Sequence, residues 1–177
     1  SGFRWTSDVI TYSFPWRGSA SHFSNNYSSD NEHRAHVRYG FSDSVQQTFE
    51  EALNLWASVA DITFQYVAES ALEVGTIRAA YSSAVGEWWG WAYFPYSDAS
   101  AGDIWINPSF AEESWEPGEY NFEATLHEIG HALGLEHPFE NNLLSDALNN
   151  NNYTIMSYTG YGKNFYPEVS YVDGDYI

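Results

Sequence analysis

The chain has 177 residues, no cysteine, and 6 basic against 24 acidic side chains, a formal net charge of −18. That length suits one domain with its own core, and the absence of cysteine excludes disulfides and thiol chemistry. The acidity disfavours nucleic acid and anionic membranes as partners, and no run of about 20 apolar residues is present to span a bilayer.

Val9-Ile10-Thr11-Tyr12-Ser13-Phe14 is β-branched and aromatic, so residues 9–14 predict a strand. Residues 18–32 are rich in Ser and Asn and read as a loop. His22, His33 and His36 fall in or beside it at spacings that match no metal site, so they are expected on the surface. Val45, Phe49, Ala52, Leu53 and Trp56 recur at helical spacing and predict an amphipathic helix over 42–58, capped by Ser42 or Ser44. Residues 62–67 alternate like a strand, and 75–81 read as another. The aromatic group Trp88, Trp89, Trp91, Tyr93 and Phe94 fits core and sheet packing, with the lining of a substrate cleft as the alternative. A loop is expected over 110–120, a helix over 121–135, and an exposed turn at Asn149-Asn150-Asn151-Asn152. Mixed strands and helices give an α+β or three-layer domain.

The second helix carries His127-Glu128-Ile129-Gly130-His131-Ala132-Leu133-Gly134-Leu135-Glu136-His137. A helix advances about 100° per residue, so His127 and His131 lie about 40° apart on successive turns. Both imidazoles can reach one metal ion. Gly134 lets the chain turn, with φ > 0, and brings His137 back as a third ligand. Three protein ligands leave one position for water, the arrangement of a catalytic zinc site. Glu128 follows the first histidine, where its carboxylate can touch that water without binding the metal.

The run fits H-E-x-x-H-x-x-G-x-x-H, the zinc signature of the metzincin endopeptidases. Thr154-Ile155-Met156-Ser157-Tyr158 resembles their Met-turn, and Met156 is the single methionine of the chain. Pro138 after the third histidine, and the tyrosine two residues after the methionine, resemble the serralysins, the secreted bacterial metzincins. Residues 41–67 resemble their first long helix and following strand. Trp91-Ala92-Tyr93-Phe94-Pro95 and Gly102-Asp103-Ile104-Trp105-Ile106-Asn107 resemble two strands of their upper sheet. The likeness runs from about Ile10 to Tyr158. It departs at Phe139-Glu140-Asn141, where serralysins carry Gly-Asp-Tyr, so the loop leading to the Met-turn is expected to differ.

The resemblance implies a metzincin-like α+β fold over residues 1–177, a mixed twisted sheet packed on two long helices with an active-site cleft. It implies one catalytic Zn²⁺ on His127, His131 and His137, with Glu128 as general base. Tyr158 would ligate the resting metal and swing out to hold the reaction intermediate, and Met156 would pack beneath the site. Trp91, Ala92, Tyr93 and Phe94 would form the strand to which substrate adds. The expected function is a secreted, extracellular, bacterial zinc endopeptidase, monomeric, acting on protein and peptide substrates. The alternative is a catalytically weakened binding or adhesion module of a larger secreted protein. Family members continue into a further helix and a calcium-binding repeat domain. No G-G-x-G-x-D repeat is present here, and Asp173-Gly174-Asp175 is too short to count. This chain therefore reads as a catalytic domain without those parts, and Ca²⁺ has only the abundance of acids to support it.

Overall fold

The computed structural model describes residues 2–17 and 21–159. Gly18, Ser19 and Ala20 of the Ser/Asn-rich segment, and the Asp173-Gly174-Asp175 group, lie outside the described residues. Among the described residues a six-stranded mixed sheet carries two long helices. Its strands are β1 (Val9–Ser13), β2 (Arg38–Tyr39), β3 (Thr63–Tyr66), β4 (Ile77–Ser82), β5 (Gly90–Ala92) and β6 (Ile104–Ile106), and its helices are α1 (Asp43–Val59) and α2 (Tyr120–Ala132). The order is β3-β1-β4-β6-β5. β3, β1, β4 and β6 run parallel, β5 returns antiparallel at the edge, and β2 pairs antiparallel with the C-terminal end of β4. No helix among the described residues is long and apolar enough to cross a membrane.

Alternation along the strands decides the packing. Ile10, Tyr12, Phe14, Ile77, Ala79, Tyr81, Ile104 and Ile106 join Phe49, Ala52 and Leu53 of α1 and Ile129 and Ala132 of α2 in the main core. Ser42 caps α1, its hydroxyl accepting from the Val45 N–H. Trp56 of α1 donates its indole N–H to the Leu126 carbonyl of α2 at 3.0 Å, fixing one helix against the other. All six residues of β4 are buried, as expected of a strand covered on both faces.

The second cover is the segment read as a plain loop. Tyr27, with Trp16 and Phe23, packs on Ala80 and Trp105 on the face away from the helices. His33 belongs to this layer. It was expected at the surface but is buried, stacked 5.1 Å from Phe23 between centroids, and neither ring nitrogen has a partner among the described residues. His22 and His36 are exposed as expected. Asp103 is wholly buried: it accepts from the Tyr27 hydroxyl and the Arg78 backbone N–H. Arg78 in turn forks onto Glu69 through two 2.8 Å bonds. Those contacts occupy Asp103 and Arg78 on the buried second face.

Candidate metal centre

α2 presents His127 and His131 one turn apart, as the spacing requires. The helix stops at Ala132, three residues earlier than the sequence suggests, because the chain closes a Schellman motif. Leu135 donates to the Gly130 carbonyl at 2.9 Å and Gly134 to the His131 carbonyl at 2.8 Å. Gly134 has φ of 103°, and a Cβ there would collide with the Phe3 carbonyl oxygen. The Trp5 indole satisfies the last helical carbonyl, that of Ala132, at 2.9 Å. Gly134→Ala should therefore cost at least about 1–2 kcal/mol from the left-handed conformation alone. A lower midpoint in thermal unfolding, with weaker zinc retention, is the expected result.

Beyond that turn His137 returns to the helix. Its Nε2 lies 3.2 Å from Nε2 of His127 and 3.0 Å from Nε2 of His131. Each Nδ1 meets an acceptor: the Ile155 carbonyl at 2.9 Å for His127, the Leu135 carbonyl at 2.7 Å for His131, and Glu140 Oε1 at 3.1 Å for His137. Those acceptors require N–H on every Nδ1, so three Nε2 lone pairs point at one another. Such an arrangement is repulsive unless a cation sits among them. Burial, then the neighbouring imidazoles, holds His127 down to about 3 and His131 down to about 4, and burial lowers His137 as well. Neutral imidazole is the ligating form, so the donor set fits zinc.

Glu128 is buried beside them. One carboxylate oxygen accepts from the backbone N–H of Ala92, and Oε2 has no partner among the described residues. Burial pushes the carboxyl up to about 8, against the opposing pull of that N–H. The Tyr158 hydroxyl is 2.5 Å from Nε2 of His137, and its ring stacks on His127 with centroids 5.4 Å apart. Met156 is buried beneath α2 with its sulfur against Gly130, where a side chain would displace it. The same turn supplies the Ile155 carbonyl that orients His127.

The cleft is a cavity of about 340 Å³ bounded by Ala92, Phe94, Glu128, His131, Glu140 and Tyr158, among others. Of the four residues expected to receive substrate, Ala92 and Phe94 face it. Trp91 contributes to its wall but sends its indole to the opposite side of the sheet, where it donates to Glu32 Oε1 at 3.1 Å. Tyr93 does the same through its hydroxyl at 2.5 Å. β5 is shorter than the stretch read in the sequence. Trp91 and Tyr93 pair toward β6 and its flank, which turns the backbone groups of Gly90 and Ala92 to the open edge.

Two participants went unread in the sequence. Glu140 lies in the stretch that departs from the serralysin pattern, yet it orients His137, and Phe139 stacks on the same imidazole with rings 5° from parallel. A carboxylate three residues after a candidate ligand was the available signal. Glu32, wholly buried, holds Trp91 and Tyr93 from behind the cleft wall, and nothing in a Ser/Asn-rich segment marks it.

The sequence profile described as Matrixin matches residues 4–157. Similar curated proteins include a serralysin of Proteus mirabilis, 29% identical over 178 residues, covering 84% of this chain and 33% of the relative. Metalloprotease AprA of Pseudomonas entomophila is 30% identical over 145 residues, covering 71% of this chain and 29% of the relative. Serralysin A of Dickeya chrysanthemi is 36% identical over 96 residues, covering 51% and 20%. The chain thus spans a third or less of the length of these relatives.

Proposed function

The chain belongs to the matrixin family as a serralysin-type metzincin catalytic domain, and from that premise we propose that it is a zinc-dependent endopeptidase. The observation that carries the reading is the convergence of three Nε2 lone pairs beside an uncommitted oxygen of Glu128. His127, His131 and His137 would hold the metal. Zinc bound there supplies Lewis acidity for the scissile carbonyl and for the attacking water.

The remaining steps belong to the chain. Glu128, anchored on the Ala92 N–H, takes the proton of the attacking water on its second oxygen and delivers it to the departing amine. The Tyr158 hydroxyl, resting against His137, donates to the developing oxyanion. An extended peptide adds to the open edge of β5, where backbone pairing gives affinity with little sequence choice. Met156 fills the space under the histidines and touches no reacting atom. Residues 1–177 are read as one catalytic domain. The serralysin resemblance carries the remaining assignments: a monomer, secreted by a bacterium, acting on proteins outside the cell.

Hydrolysis of an unstructured protein such as casein, before and after chelation and with zinc added back, tests the reading. Activity lost with the metal and restored by it is expected. Hydrolysis indifferent to chelation would overturn it, and binding without cleavage would favour an adhesion module. Tyr158→Phe tests the oxyanion role. Three histidines suffice for the metal, so zinc content should hold while kcat falls by about 2–4 kcal/mol of activation free energy at nearly constant KM. Unchanged kcat at full zinc occupancy would leave Tyr158 as a packing residue beside the Met-turn.

A further inference from the structure

A second cavity, about 660 Å³, opens at the start of α1 and shares no lining residue with the cleft. Its floor is aromatic. Tyr81 meets Phe41, Tyr39 and Trp115 with centroids 4.8, 5.0 and 6.2 Å away. Its rim carries four exposed carboxylates, Glu51, Glu112, Glu113 and Glu116, and no Lys, Arg or His lines it.

Tyr81 is the independent sign of a ligand. It is 1% exposed, and its hydroxyl has no hydrogen-bond partner among the described residues. Three other tyrosines of the sheet and its cover are matched to carboxylates: Tyr12 to Glu50, Tyr27 to Asp103, and Tyr93 to Glu32. A buried hydroxyl left unpaired is costly and calls for an explanation. Burial is the first cause that raises both the Tyr81 and Tyr39 phenols, and the Glu112 carboxylate adds to each, so its field reaches both rings.

We propose that this cavity binds the guanidinium group of an arginine side chain on a peptide segment. A guanidinium is planar, stacks on aromatic faces, and carries five N–H donors in a fixed fork. It can donate to the free Tyr81 oxygen and to Glu112 together. An anion would meet four carboxylates. The α1 N-terminus, with about half a positive charge, does not offset them, and its Val45 N–H is already taken by Ser42. A neutral apolar group would leave the Tyr81 hydroxyl unpaired. Occupancy does not involve the metal centre, so it can be tested whatever the outcome for proteolysis.

The test is an NMR titration of the whole chain at 0.15 M salt with N-acetyl-arginine N-methylamide, against the neutral isostere N-acetyl-citrulline N-methylamide. Saturable binding is expected, about tenfold tighter for the cation, the worth of one desolvated cation–π and hydrogen-bonded contact. Glu112→Gln should remove most of that preference, and Tyr81→Phe, which keeps the ring, should weaken it severalfold. Glu73→Gln, an equal loss of charge on an exposed residue outside the cavity, should leave it intact. Equal affinity for the two amides would overturn the proposal. So would a Glu73→Gln effect as large as that of Glu112→Gln, which would mark diffuse attraction to an acidic protein. Binding undiminished in both cavity variants, or displaced by an active-site hydroxamate, would overturn it as well.

Discussion

His131→Ala should remove zinc and proteolysis together. The side chain supplies one of three converging Nε2 atoms and is held in line by the Leu135 carbonyl at 2.7 Å. Outer-shell partners of a metal ligand are worth about 10–100-fold in affinity or activity, so loss of a ligand itself should exceed that. Residual activity below about 1% is the corresponding expectation. The imidazole lies against Phe94, with ring centroids 5.4 Å apart, so truncation also leaves a small void. Metal analysis after dialysis, run beside circular dichroism, separates metal loss from unfolding. A folded variant that kept one zinc per chain would refute the ligand assignment.

Glu128→Gln should keep the metal and lose the chemistry. The amide oxygen can still accept from the Ala92 N–H, so the side chain stays in place. On the proposed mechanism the proton acceptor would be lost, worth roughly 10²–10⁴-fold in turnover. Stability should not fall, because a neutral amide is easier to bury than a carboxylate. Single-turnover cleavage of a labelled peptide at saturating zinc measures the effect. A rate within about threefold of the parent would remove Glu128 from the mechanism, since that is far less than a general base contributes.

Much of this centre was legible in the sequence because its geometry is local. Two histidines four apart share a helix face whatever surrounds them. Gly134 announces a chain reversal, and the structure resolves that reversal into a Schellman turn against the Phe3 carbonyl. Met156 and Tyr158, some twenty residues on from His137, were readable through the metzincin resemblance rather than through any periodicity. β1 and α1 were readable because each turns apolar side chains to the core at regular spacing. Even the choice between Ser42 and Ser44 as the cap is settled by a single bond to the Val45 N–H.

What the sequence hid depends on which face of the sheet a neighbour covers. The segment around Tyr27 looks like solvent loop by composition, yet it roofs Ala80 and Trp105, and that roof buries His33. Trp91 and Tyr93 flank Ala92 in the chain but face away from the cleft, a consequence of strand alternation once Ala92 meets Glu128. Glu140 was noticed only as a departure from a pattern. Its contact with His137 needs the turn after Pro138, which no spacing rule supplies. β2, two residues long, carries too little pattern to be read at all.

Zinc-edge X-ray absorption on the protein loaded with one equivalent of zinc tests the central claim most directly. The expected spectrum shows three imidazole nitrogens at about 2.0–2.1 Å with one further light ligand. A shell with fewer than three imidazoles, or one made only of carboxylate and water oxygens, would contradict the account.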